Sequence, residues 1–306
     1  MRSAFIPAVC VMASVAISSS VALAQKSAIL IPGEASVQRD TRVYKATGDV
    51  KLEMFIYKPA GWKAGDSRPA IVFFFGGGWN SGSPKQFEKQ ATYFATRGMV
   101  AMAADYRVRS RHGVAPEQCV NDAKSAVRWA RANAAKLGID PNRIVSSGGS
   151  AGGHLAAAVG TVQGFEEAGE DHAVSSRPNA MVCFNPALDV TRNAWGDINR
   201  GKGVEQKFGG ADKAKALSPQ QNIRKNLPPA LILHGEEDPT VPFTQAVAFT
   251  KAMVAAGNRC ELAGYQGQKH GFFNYGRTEM FIATVIRTDR FLASLGYLEG
   301  QPTLKK

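Results

Sequence analysis

Gly148-Gly149-Ser150-Ala151-Gly152 stands between a strand-forming run, RIVSS at 143–147, and a helix-forming run, HLAAAVGTV at 154–162. No other feature restricts the fold of this chain as tightly. Small residues on both sides of a serine let the backbone turn sharply, so that the hydroxyl projects from a sheet edge and the next N–H groups open a helix. A phosphate-binding loop would carry a lysine after its glycines, and a dinucleotide loop an acid at a set distance. Neither is present.

The rest of the chain supplies the sheet that such a turn requires. LEMFIY at 52–57, AIVFFF at 70–75, MVAMAA at 99–104, AMVCFN at 180–185, ALILH at 230–234 and CELAGY at 260–265 read as strands. AIVFFF is apolar throughout, as in a strand covered on both faces. Between them, 84–97, 116–137, 242–256 and 278–294 have helical character; the first opens on Ser83-Pro84 and stops at Gly98, and the second closes on Gly138. Alternation of this kind predicts an α/β fold: a mostly parallel central sheet with helices on both faces. Residues 186–228, rich in Gly, Asn and Lys, break the rhythm and are expected to form a small insertion over the active-site edge rather than a second domain.

Residues 4–24 are uncharged, follow Arg2 and end in Ala22-Leu23-Ala24. This pattern predicts a signal peptide over 1–24, with a single catalytic domain over 25–306 and a secreted or periplasmic location. An uncleaved anchor is the rival reading, and Ser18–Ser20 with the small-residue end argue against it. Removing the leader leaves 36 basic and 25 acidic residues, a net charge of +11. No dense Lys/Arg run accompanies that charge, so it reads as a solvated surface and not as a nucleic-acid interface. Of the four cysteines, Cys119, Cys183 and Cys260 remain, which allows at most one disulfide and matches no zinc spacing. No metal, cofactor or stable membrane insertion is expected, and the oligomeric state stays open.

A serine hydroxyl needs a base to become a nucleophile. His112 and His172 lie in charged loops, His154 sits on the helix leaving the glycine turn, and His234 ends a strand. His270 lies in a short loop after the last strand, where open α/β sheets place their sites. The acid that orients such a histidine is expected between serine and histidine in sequence. Asp238, in the loop after ALILH, is the candidate, with Glu237 as its neighbouring competitor and Asp189 further away. Gly76-Gly77-Gly78-Trp79 follows AIVFFF, where glycine N–H groups can turn towards a developing oxyanion. Gly77, Gly78 and Ala151 are the candidate donors. Trp79, Tyr106 and Trp195 are tentative substrate-binding residues.

In order along the chain, FFFGGGW, AADYR, LGIDPNRIVSSGGSAGGHLAA, LILHGEEDPTVPF and KHGF resemble α/β-hydrolase esterases of the hormone-sensitive-lipase group. In particular the set resembles secreted bacterial acetyl xylan and feruloyl esterase-like enzymes. The likeness runs over roughly residues 40–295. It implies Ser150 as nucleophile, Asp238 as acid, His270 as base, and Gly77, Gly78 and Ala151 as oxyanion donors. It also implies an acylated oligosaccharide or polysaccharide, or another small ester, as substrate. One departure stands out: Phe75 occupies the position of the histidine in the usual His-Gly-Gly-Gly motif. A general short-chain carboxylesterase, a serine peptidase and a non-catalytic binding module are the other functions open to this fold. The peptidase reading lacks the large extra domain usual in prolyl peptidases, and the binding module normally goes with a lost member of the triad.

Overall fold

The computed structural model describes Met1 and residues 29–305. The leader expected at 1–24 lies, apart from Met1, outside them. Eight strands make one sheet: β1 (Gln38–Thr47), β2 (Val50–Lys58), β3 (Arg68–Phe74), β4 (Val100–Ala104), β5 (Ile139–Gly149), β6 (Ala180–Phe184), β7 (Ala230–Gly235) and β8 (Cys260–Tyr265). Their order is β1-β2-β4-β3-β5-β6-β7-β8. β1 and β2 form an antiparallel hairpin and β2 pairs antiparallel with β4; every pair from β4 to β8 is parallel. This is the α/β-hydrolase architecture.

The helices are α1 (Glu88–Thr96), α2 (Arg109–His112), α3 (Pro116–Ala132), α4 (Ala134–Leu137), α5 (Ala151–Thr161), α6 (Ile198–Lys207), α7 (Ala211–Leu217), α8 (Phe243–Ala255) and α9 (Thr278–Ser294). The single helix predicted over 116–137 is interrupted at Asn133, whose side chain donates to the Trp129 carbonyl. From Ile31 on, the described chain makes one compact unit.

β3, β4, β6 and β7 are buried along almost their whole length, as their unbroken apolar runs require. α5 is buried on every side. Its close approach to the sheet rests on Gly152, where a Cβ would lie 2.0 Å from the Phe74 carbonyl oxygen. β1 is not foreseen by the sequence pattern. It is an edge strand with a largely exposed, charged sequence, QRDTRVYKAT, so it carries no apolar run to announce it.

Residues 186–228 leave the sheet between β6 and β7 and carry α6 and α7. Most of their large apolar side chains face inward: Leu188, Val190, Trp195, Phe208 and Leu217 belong to the main core, while Ile198 is exposed. Cys119, Cys183 and Cys260 are buried free thiols. No helix among the described residues is long and apolar enough to cross a membrane.

Candidate active site

β5 ends at Gly149 and α5 begins at Ala151, so Ser150 alone makes the turn between them. It does so at φ 57° and ψ −119°, a backbone conformation costly for a residue with a side chain. Two hydrogen bonds hold it there: its N–H donates to the Phe184 carbonyl at the end of β6 (2.8 Å), and its carbonyl accepts from the His154 N–H in α5 (2.9 Å).

His270 and Asp238 arrive from the loops after β8 and β7. His270 Nε2 lies 2.9 Å from Ser150 Oγ, and His270 Nδ1 lies 2.7 Å from Asp238 Oδ2. A carboxylate only accepts, so Nδ1 carries the proton and Nε2 is left as acceptor for the serine hydroxyl. Glu237, the neighbouring acid, is exposed, whereas the Asp238 carboxylate is fully buried. Asp238 Oδ1 accepts the N–H groups of Thr240 (2.7 Å) and Val241 (3.0 Å), and Oδ2 also accepts Asn185 Nδ2 (2.8 Å). His234 Nε2 lies 3.4 Å from the same oxygen. Burial alone would favour a neutral acid. Hydrogen bonds from His234, His270 and the Val241 N–H, with the charge on His270, reverse this and hold Asp238 well below the usual carboxylate range.

The Gly76–Trp79 turn closes the other side. An added Cβ at Gly76 would stand 3.3 Å from Ser150 Cβ, so this loop lies directly against the Ser150 turn. Gly77 has φ 127°, and a Cβ there would fall 2.0 Å from the Ser81 carbonyl oxygen, so no other residue fits. Among the described residues, no protein acceptor takes the N–H of Gly77, Gly78 or Ala151. Gln86 fixes the loop by accepting the Gly76 N–H (2.6 Å) while its Nε2 donates to Asn274 Oδ1 (3.0 Å), four residues beyond His270. Phe75 replaces polar anchoring with packing: its ring stacks on Tyr106 at 4.0 Å, and the Tyr106 hydroxyl donates to the Phe75 carbonyl (2.7 Å).

The aromatic candidates are corrected by burial. Tyr106 is wholly buried and supports the loop from behind. Trp195 is a core residue of the insertion. Trp79 is also mostly buried; its indole donates to His154 Nδ1 (3.2 Å) and packs edge-on against Phe208. Tyr106 and Trp195 present no free face to a substrate in the way a binding aromatic would. Gln86, Asn185, Asn274 and His154 were missed, because their roles depend on partners distant in sequence. Among the described residues no group of three or more His, Cys, Asp or Glu side chains is placed to hold a metal ion.

The BD-FAE family profile matches residues 54–253. The chain belongs to this family. Esterase LipC of Mycobacterium tuberculosis is 31% identical over 221 residues, which cover 67% of this chain and 53% of that protein. Acetylxylan esterase of Xylanibacter ruminicola is 29% identical over 236 residues, covering 73% and 44%. The chain thus spans about half the length of the curated relatives it matches. Among solved structures, Thermogutta terrifontis esterase 2 is 50% identical with a TM-score of 0.81, covering 89% of this chain and 97% of its own; it has been solved with propionate and with butyrate bound. Within the BD-FAE match lie Ser150, Asp238 and the Gly76–Trp79 turn, and His270 follows it.

Proposed function

We propose that this BD-FAE protein is a serine carboxylic-ester hydrolase. The hydrogen-bonded chain Ser150–His270–Asp238, with its nucleophile on a strained turn, carries the reading. His270 Nε2 takes the hydroxyl proton as Ser150 Oγ attacks the ester carbonyl carbon. The N–H groups of Ala151, Gly77 and Gly78 serve the oxyanion. The intermediate collapses, the C–O bond to the alcohol breaks, and the departing alkoxide receives the proton from His270. Water then attacks the acyl-serine, giving its proton to His270. Release of the acid returns that proton to Ser150. Asp238, ionised over the working range, holds the imidazole in the required tautomer and stabilises the imidazolium.

The finer reading is removal of short acyl groups, acetyl among them, from carbohydrate such as xylan, outside the cytoplasm. The acetylxylan esterase relative and the motif resemblance support the substrate class. The propionate and butyrate complexes of the Thermogutta esterase support a short acyl group. The apolar side chains of the insertion add to this, since Leu188, Val190, Trp195, Phe208 and Leu217 are used in the core and leave little to extend a wall for a long chain. Each buried methylene is worth about 0.8 kcal/mol, so a site without such a wall gains little from a longer acyl group. The predicted leader supports export.

A fluorophosphonate probe is expected to label the protein once, at Ser150, and Ser150→Ala to lower ester turnover by about 10⁴–10⁶-fold. Wild-type turnover by that variant would end the reading. p-Nitrophenyl acetate and butyrate are expected to outperform the octanoate ester in kcat/KM, alongside acetate release from acetylated xylan. An octanoate optimum would replace the carbohydrate substrate with a lipid-like one.

A further inference from the structure

Beside the oxyanion turn lies a cavity of about 270 Å³, walled by Gly78, Trp79 and Asn80, by Arg109 and Ala115, and by Lys207. Its rim starts two residues from Gly76, the residue in contact with the Ser150 turn. Two cations line it and no acid does. Lys207 closes α6; its ammonium donates to the Gly78 carbonyl (3.3 Å) and lies 5.7 Å from the centre of the Trp79 ring. That uses one of its three donors. Among the described residues, the Arg109 guanidinium has no side-chain partner. Acids close in sequence to the lining residues are engaged elsewhere: Asp105 with Arg111 (2.6 Å), Glu117 with Lys213 (2.5 Å) and Glu205 with Arg192 (2.7 Å). Burial, and the charge of Arg109, lower the Lys207 ammonium from its ordinary pKa. An anion entering between the two cations would offset their mutual repulsion and favour the charged ammonium.

We propose that this cavity is an anion subsite that takes a carboxylate carried by the ester substrate, a few bonds from the scissile carbonyl. The proposal rests on the ester-hydrolase reading and narrows its substrate class. The volume is below that of a whole-ligand pocket and suits one charged fragment of a molecule whose ester lies at Ser150. Recognition is by charge, since Lys207 and Arg109 offer several donors and no matching acceptor.

The experiment compares charged and neutral partners at low ionic strength. 4-Acetoxybenzoate against 4-acetoxybenzamide places the charge on the alcohol side. p-Nitrophenyl hydrogen adipate against p-nitrophenyl hexanoate places it on the acyl side. One pair is expected to favour the carboxylate by about fivefold in kcat/KM, the size of a partly screened ion pair, carried by KM and erased by high salt. Arg109→Glu should reverse the ratio within that pair, a readout that a general loss of fold or turnover does not mimic. Equal rates within both pairs, or a preference that Arg109→Glu leaves intact, overturn the subsite. Calorimetric titration with 4-hydroxybenzoate and 4-hydroxybenzamide reads the same preference without turnover. If no ester of either pair, charged or neutral, is hydrolysed but the benzoate binds in an Arg109-dependent way, the hydrolase reading fails and the anion site alone stands.

Discussion

Ser150, His270 and Asp238 are held by main-chain geometry at the ends of β5, β8 and β7. Helix α6, which reaches both sides of them, is instead tied down by long cationic side chains. Arg200 donates to the Pro239 carbonyl (2.5 Å) beside Asp238, and Lys207 donates to the Gly78 carbonyl beside the nucleophile turn (3.3 Å). In the first region the three side chains are bonded to one another, and the buried Asp238 carboxylate also accepts main-chain N–H groups of its own tight turn. The second is half-exposed, and its contacts run through flexible side chains with several rotamers each. The proposed reaction machinery therefore sits where a small displacement is resisted by packing. The groups that can choose among substrates sit where repacking is cheap.

Substitutions that touch the rigid region should break this contrast most visibly. Asp238→Asn keeps size and shape but cannot stabilise the imidazolium, and an amide can present the wrong group to His270. A fall in kcat of about 10⁴-fold is expected, with Glu237→Gln near wild type because that side chain points to solvent. Steady-state kinetics on p-nitrophenyl acetate decides the point, and the opposite ranking would move the acid to Glu237. Gly77→Ala should follow. Its Cβ would collide with the Ser81 carbonyl at a positive φ, so the turn must shift and take its N–H groups with it. Loss of an oxyanion donor costs about 10²–10³-fold in kcat. A folded Gly77→Ala protein with unchanged kcat would remove Gly77 and Gly78 from the oxyanion site.

The same division explains what could be read from the chain. β3, β4 and β7 are largely apolar runs, and the serine turn, the Asp238 loop and the His270 loop follow strands directly, so local sequence carried them. β1 is polar and pairs at the edge, and the α6–α7 insertion has few apolar positions. Neither leaves a periodic signal. Tyr106 and Trp195 look like binding aromatics in a sequence because an aromatic side chain serves a core and a pocket equally well. Which face it meets is set by tertiary packing. Gln86 and Asn274 lie 188 positions apart, and no local pattern links such a pair. Phe75 was legible as a departure, but its compensation by stacking on Tyr106 was not.

His154 joins the two regions, and it offers the smallest and most specific test of the contrast. The imidazole is buried in α5, accepting the Trp79 indole N–H at Nδ1 and donating from Nε2 to the Leu217 carbonyl of the insertion (2.9 Å). The indole bond requires the neutral ring, since the protonated form has no acceptor for the indole, whereas Nε2 donates in either state. Burial lowers its pKa from 6.5 to about 4, against a smaller upward pull from the Leu217 carbonyl. Between those values the unfolded chain binds a proton that the folded chain does not, so stability rises with pH across this window. The contribution is complete above about pH 6.5 and is lost progressively as pH falls towards about 4. Asp238, held low, adds its own acid sensitivity below the ordinary carboxylate pKa and so outside this window. His154→Leu removes the titration and leaves the indole N–H and the Leu217 carbonyl unpaired, at a cost of about 1–3 kcal/mol near neutral pH. Urea unfolding followed from pH 7 to pH 4 should show wild type and variant converging as pH falls, with the activity of the folded variant reduced less than in Gly77→Ala. Parallel pH profiles would mean that His154 is not the neutral link between the oxyanion turn and the insertion. In that case the insertion would be anchored chiefly by its core residues and the two cations of α6.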